Sequence, residues 1–589
     1  MTDPRQQRQP AVSLLWPGGS RPATSGGHTL TPEAVADFQL AEIVHALALA
    51  VGDGRHGRRD RREQFARATL MALGADPAVI AYRQDVVADL IADPALCQRL
   101  SQTLPGLDAL AETASFDRYK PSSDGAMARL VGRLADLEVF VDAARRLADA
   151  LAPAPLRSVA LEGLRQEVHA ITTTPTFQAL EAELPVLRAT LTQVKSVTVG
   201  INLTADLVPE SATILAFSSE RVEGRRGLLG RALGGQQDGR GISPLQRGGA
   251  ASLKGPPNDL VRDLDKLLQD SAAPVAEALE RYAAVSTATL ARLGSELALV
   301  IGAARLVERL ARAGLPMCRP DILPLEQRAG KFADAYDLGL ALRLHPPEGA
   351  EAPGGVVTNA VTFDPARGQV WILTGPNRAG KTTYTRAVGQ AHILFQAGLP
   401  VPARSARLSP VDAIYTHFPT VESARLGMGR LDEEAERLAE IFRRATPRSL
   451  ILLNEALAGT STLEAFGLAR GAVRGLRLLG ARAIYVTHLH ELAAAVDEIN
   501  ATTPGSGTVA SLVAEVEDEG KGKGEGEEDS VAHGPPPPRR RSFRVRPGPP
   551  LGQSYASDIA EAHGISFPRL AQLLQDRGVV PPPPTRASG

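Results

Sequence analysis

The sequence is poor in the features that mark several large functional classes. It holds two cysteines, Cys97 and Cys318. That excludes a disulfide framework and a cysteine-built zinc site, and it points to a reducing compartment. Aromatic residues make up only 4%, thin for a protein that binds single strands on stacking platforms. Neither sign of charge dominates, with 65 Lys and Arg against 66 Asp and Glu for a net charge of −1. A wholly basic nucleic-acid binder is thereby excluded, although a local basic patch is not. No apolar run approaches the roughly 18 residues of a membrane span. The most apolar stretch, around Leu297–Ala303, is flanked by Glu296, Arg305 and Arg309. The first thirty residues are polar and rich in Pro and Gly, without the apolar core of a signal peptide. The expectation is a cytoplasmic protein with no membrane partner.

What is present is long-range order of two kinds. The 589 residues imply about three to five domains. Residues 1–30 and 578–589 read as unstructured. From Pro32 to about Val194 the periodicity is helical, with Leu40, Ile43, Val44 and Leu47, and again Leu130, Leu134, Leu137 and Phe140, on single faces. Between Ser196 and Ser218, SVTVGINL and SATILAFS alternate as short strands do. A Gly- and Arg-rich stretch follows, in which Arg221, Arg225, Arg226, Arg231, Arg240, Arg247 and Lys254 face only Glu223 and Asp238. Such a loop would contact phosphates without reading sequence, or simply be solvated. Long helices are expected again from Asp259 to about Ala313. From about Val356 the runs QVWILT, SLILLN and ARAIYVT, separated by helices, predict a buried and mostly parallel sheet. Residues 517–541 are low-complexity and read as an unstructured insert between two strands. No repeat of 20–50 residues is visible.

Chemistry concentrates in the second half. Gly375, Pro376, Asn377, Arg378, Ala379, Gly380, Lys381 and Thr382, followed by Thr383, fit G-x-x-x-x-G-K-[ST] between a strand and a helix. Phosphates need backbone N–H groups at close range, which side chains would block. Lys381 is placed to meet the β- and γ-phosphates, the Thr382 hydroxyl to ligate Mg²⁺, and the helix N-terminus to face the anion. Downstream, Ser449–Asn454 is an apolar strand ending in Asn454 and Glu455. A carboxylate at such a tip assists Mg²⁺, and the next acid orients or deprotonates water. Glu455 fits the second role. Asn454 stands at the metal-assisting position, where an amide keeps the size and one acceptor oxygen but loses the charge, so the field on Mg²⁺ weakens. A further strand ends in Thr487 and His488, where an imidazole can sense the γ-phosphate.

These segments, TGPNRAGKTT, LLNEALAGTST and THLHEL, resemble the ATPase domain of the MutS family of DNA mismatch repair proteins. The resemblance extends to Thr358-Asn359 ahead of the P-loop strand, to Tyr82–Val87 at the start of the helical region, and to Pro547-Gly548, Gly552–Ala556, Ile559-Ala560 and Gly564–Ser566 near the end. It implies a multidomain chain. A helical core and lever over 31–330, with a small β or clamp-like insert around 195–257, would precede a P-loop α/β ATPase domain of ABC type over 331–577. A helical dimerisation segment would close that domain. It also implies a homodimer with two composite ATP sites that use ATP and Mg²⁺, and a clamp around DNA, whether duplex, mismatched or branched. Glu455 and His488 would be catalytic, residues 375–383 would bind the cofactor, Thr382 and Asn454 would hold the metal, and Arg221, Arg225, Arg226 and Arg231 would contact DNA. Gly459–Thr462 would lie near the site and the subunit interface.

Departures from the family pattern bear on turnover. Asn454 replaces an Asp, and Ala458 replaces an Arg. Gly429-Arg430-Leu431 ahead of Glu434 stands where the family writes Ser-Thr-Phe before a Glu, removing one hydrogen bond to a γ-phosphate. No Phe-x-Glu wedge occurs near the N-terminus, so the family's mismatch-reading domain and connector are expected to be missing, and no nuclease-like extension is expected after Leu574. The function expected is that of an ATP-dependent DNA-binding ATPase, stimulated by DNA, slowed by Asn454, and serving mismatch repair or related processing of DNA structures. The alternative is a nucleotide-binding scaffold with weak hydrolysis and no intrinsic mismatch recognition. An SMC-type or transporter ATPase is disfavoured, because Lys381 and Asn454 are too close in sequence for split ATPase halves and no LSGGQ occurs.

Overall fold

A computed structural model describes residues 12–19, 28–51, 56–116, 126–192, 196–203, 205, 209–218, 220, 274–282, 288–346, 355–419, 430–457, 461–517, 540–550 and 567–577. In chain order, α1 (Pro32–Asp37), α2 (Leu40–Leu49), α3 (His56–Met71), α4 (Pro77–Ala92), α5 (Pro94–Phe116), α6 (Ala126–Leu151), α7 (Val159–Thr173) and α8 (Pro175–Thr192) come first. Then follow β1 (Ser196–Leu203), β2 (Pro209–Ser218), α9 (Ala288–Arg312), β3 (Asp321–Ile322), β4 (Gly330–Ala335), α10 (Leu338–Leu344), β5 (Asn359–Phe363) and β6 (Val370–Thr374). The remainder is α11 (Lys381–Gln396), β7 (Ser405–Leu408), β8 (Ile414–His417), α12 (Arg430–Arg444), β9 (Leu450–Asn454), α13 (Thr462–Leu479), β10 (Arg482–Val486), α14 (His490–Ala494), α15 (Val496–Thr502), β11 (Val509–Glu517), β12 (Arg540–Pro547) and α16 (Phe567–Asp576). Among the described residues no helix is long and apolar enough to cross a membrane.

The chain divides into two compact units: Met1–Cys97, Leu156–Leu161 and Ser295–Gly589 form one, Gln98–Pro155 and Glu162–Gly294 the other. In the second unit, Leu134, Leu137 and Phe140 of α6 are buried as their spacing predicts. The ring of Phe140 meets Phe177 of α8 edge-on at 6.0 Å. Arg145 forks onto both oxygens of Glu181 at 2.7 and 2.6 Å. β1 and β2 pair antiparallel, with a register shift between Thr198 and Val199.

The first unit is built on a six-stranded sheet in the order β12-β11-β6-β10-β9-β8. Its β11–β6, β6–β10, β10–β9 and β9–β8 pairs are parallel, and only β12 runs antiparallel, at the edge. β6, β9 and β10 are buried along their whole length, which explains their unbroken apolar runs. A four-stranded sheet, β3-β7-β4-β5, completes the unit's β structure. The strands read on either side of the low-complexity insert are β11 and β12. Residues 518–539 between them lie outside the described residues, as do Arg221, Arg225, Arg226, Arg231 and the rest of the basic stretch.

Part of the N-terminal helical stretch falls in the same compact unit as the six-stranded sheet. The cause is buried polar pairing along α11. Gln390 Nε2 donates to Phe38 O at 2.9 Å, Arg386 Nε donates to Asp37 O at 2.9 Å, and Gln396 Nε2 donates to Gly74 O at 3.1 Å. Gly389 permits the approach, since a Cβ there would sit 1.9 Å from the Phe38 ring. Within this packing Leu40, Ile43, Val44 and Leu47 of α2 are buried. Residues 12–19 pack in the same unit. Leu14 and Leu15 are buried, Glu296 accepts from Ser13 Oγ and from Leu14 N at 2.7 Å, and Arg83 stacks over Trp16 at 4.2 Å while donating to Leu15 O at 2.8 Å.

Candidate nucleotide site

In a parallel sheet, ligands bind beyond the carboxyl ends of the strands. Here the register decides which tips meet. β10 lies between β6 and β9, with Val486 opposite both Leu373 and Asn454. The loop after β6, the pair Asn454-Glu455 and the pair Thr487-His488 therefore emerge side by side. Thr487 N donates to Leu373 O at 3.0 Å and Glu455 N to Val486 O at 2.9 Å, which locks the three tips together.

The loop after β6 turns at Gly375 (φ 146°), where a Cβ would sit 2.8 Å from that of Ala514. Gly380 (φ 86°) then begins α11, whose N-terminus opens into the cleft. Lys381 is buried, and its Nζ donates to Gly375 O and Pro376 O, both at 2.9 Å. Burial lowers its pKa to about 8, partly opposed by the Glu455 carboxylate.

Glu455 adopts a left-handed conformation (φ 53°), costly for a non-glycine residue and common at functional sites. His488 Nε2 lies 2.9 Å from Glu455 Oε1. That hydrogen bond holds the carboxyl below its usual range, with the charges of His488 and Lys381 acting the same way against partial burial. A second acid supports the turn: Leu457 N donates to Glu434 Oε2 at 2.8 Å, and Tyr485 Oη donates to Ala456 O at 2.9 Å. Gly429 and residues 458–460 lie outside the described residues. Ser461 Oγ donates to Glu464 at 2.9 Å, one turn into α13.

Thr382 and Asn454, the expected metal pair, meet as acceptor and donor. Asn454 Nδ2 donates to Thr382 Oγ1 at 3.2 Å, and Asn454 Oδ1 is buried without a partner. An amide in this state offers Mg²⁺ no charge and takes one of the two lone pairs of the Thr382 hydroxyl, so the donor set fits a tightly held cation poorly.

The cleft, about 320 Å³, is lined by residues 377–384, Glu455, Asn359, Tyr336, Asp337 and Phe543 among others. Phe543 carries no sequence signal of its own. It is exposed, stands in a left-handed conformation (φ 55°), and packs beside Gly380. Asn359 holds it there: its Nδ2 donates to Phe543 O at 3.1 Å, and its Oδ1 accepts from Val545 N at 2.7 Å. Asp337 is buried and accepts from Leu340 N, Gln390 Nε2 and Arg386, each at 3.1 Å. Neither residue sits in a local pattern that would reveal it, because each reaches the cleft through pairing with a distant segment.

Two family models match the chain: MutS domain V over residues 371–517 and the MutS2 N-terminal domain over residues 75–313. Similar proteins are named DNA mismatch repair protein MutS. That of Granulibacter bethesdensis is 36% identical over 200 residues, 33% of this chain and 20% of that protein. That of Sorangium cellulosum is 33% identical over 262 residues, 44% of this chain and 28% of that protein. That of Methanosarcina mazei is 36% identical over 151 residues, 25% of this chain and 17% of that protein. The chain thus spans well under a third of the length of these curated relatives.

Proposed function

The chain belongs to the MutS family, and from that premise we propose that it binds ATP in the cleft above β6, β9 and β10 and couples that binding to a grip on DNA. One observation carries the reading. The phosphate loop, Glu455 and His488 follow three separate strands and converge at the carboxyl edge of a parallel sheet, where Glu455 and His488 share a hydrogen bond. In this reading backbone N–H groups of residues 375–383 and Lys381 take the phosphates, and the exposed Phe543 ring offers the base a stacking face. Glu455, kept ionised by His488, orients the attacking water. Positioning and charge do the chemistry, and ATP shifts the protein between states only by binding one of them more tightly. The active form is proposed to be a homodimer that closes around DNA in mismatch repair or related processing, with Arg221, Arg225, Arg226 and Arg231 contacting phosphates.

The test is a DNA-binding titration with and without ATP, at fixed salt, on homoduplex, a G·T mismatch and a branched junction. The expected result is ATP-dependent binding whose affinity falls when the titration is repeated at higher salt. Absence of binding to all three DNAs, with ATP still bound, would replace this reading with a second one: a nucleotide-binding scaffold with weak hydrolysis. The amide at Asn454 favours that second reading.

A further inference from the structure

We propose that this site holds its nucleotide without a divalent cation bound tightly by the protein, because Asn454 takes one lone pair of the Thr382 hydroxyl and supplies no charge in return. The inference rests on the reading of the cleft as a nucleotide site. Mg²⁺ demands near-octahedral oxygen ligands and gives up its waters reluctantly, so proteins hold it through carboxylates and substrate phosphates. At the end of β9 the residue facing Thr382 is an amide. Its Nδ2 hydrogen enters a lone pair of Thr382 Oγ1 at 3.2 Å, and its Oδ1 stays buried and unpaired.

Reversing the amide frees the Thr382 lone pairs but restores no charge. Oδ1 would then accept the Thr382 hydroxyl hydrogen, and the buried unpaired group would be an N–H pair, which repels a cation. An aspartate in the same place would accept from Thr382 with one anionic oxygen and offer the other. No described neighbour compensates. Glu455 is turned onto His488, and among the described residues no group of three or more His, Cys, Asp and Glu could hold a metal ion. Positive charge for the phosphates comes instead from the buried Lys381. The cation that accompanies ATP in solution would be bound by the nucleotide alone.

The experiment is calorimetric titration of the full chain with ATP, in EDTA and in millimolar Mg²⁺, for the wild type and Asn454→Asp. The wild-type affinity should change by less than about threefold between buffers, and that of Asn454→Asp by about tenfold or more, tighter with Mg²⁺. A wild-type dependence of about tenfold would overturn the inference and leave the nucleotide reading standing. A wild type that binds ATP in neither buffer would overturn the nucleotide reading and this inference with it. Should Asn454→Asp not fold, Mn²⁺ paramagnetic resonance on the wild type decides. Bound ATP should hold Mn²⁺ no more tightly than free ATP does, and tighter retention would sink the proposal.

Discussion

Two sides of the nucleotide cleft, the loop after β6 on one and the tips of β9 and β10 on the other, differ in how their polar groups are satisfied. On the loop side the polar groups are paired within the loop proposed to take the phosphates. Gly375 and Gly380 carry the backbone turn, and Lys381 is parked on two carbonyls of its own loop. On the tip side, Glu455 is held by His488, but Asn454 leaves a buried oxygen unpaired. In the proposed reading, binding and turnover rest on separate groups and can be lost separately.

The sharpest way to break the comparison is Glu455→Gln. Turnover is expected to fall roughly 100-fold or more while ATP affinity stays within a few-fold, since a positioned base contributes at that scale. Steady-state hydrolysis beside equilibrium binding checks it, and an unchanged rate would remove Glu455 from the chemistry. Lys381→Ala should do the opposite and weaken ATP binding by about 10- to 100-fold, the worth of a charge-assisted contact. Retained affinity would mean that the loop side does not carry the phosphates.

A third prediction concerns α11, the helix that presents the loop. His392 on this helix is fully buried, and burial, helped by the Arg482 charge, lowers its pKa to about 3 against the hydrogen bond it makes to Val388 O. The unfolded chain therefore binds the proton first as pH falls from about 6.5 toward 3. Stability should drop over that window by at most about 1.4 kcal/mol per pH unit from this group. Denaturant unfolding at pH 7, 6 and 5 should show a shallower decline for His392→Asn, and identical slopes would refute the assignment. Phe543→Ala should have the smallest effect, a few-fold to about tenfold loss of ATP affinity if the ring stacks on the base. ATP and a base-free polyphosphate should then bind the variant almost equally. A loss shared by both ligands would assign Phe543 to support of the loop instead.

Much of this site is legible in the amino-acid sequence. Gly375–Thr382 is a local motif, a short loop between a strand and the helix that follows, so sequence spacing alone places its groups. The strands at Val370–Thr374, Leu450–Asn454 and Arg482–Val486, and the stripe on α2, follow from apolar pattern, because burial on both faces leaves an unbroken run and burial on one face imposes a period. The departure at Asn454 is legible too, but not its meaning. Asn454 and Thr382 are 72 residues apart, and their contact depends on the parallel register that puts β10 between β6 and β9. The same holds for Phe543 beside Gly380, for Glu434 under Leu457, and for the segment at 12–19 tied to Glu296 and Arg83. Local pattern is enough to pick out the glycine-rich loop, the acid and imidazole that follow their strands, and the main apolar helices and strands. Which of those groups touch follows from the fold, since hydrogen bonds across long sequence separations are chosen by sheet order and helix packing, which no local period encodes.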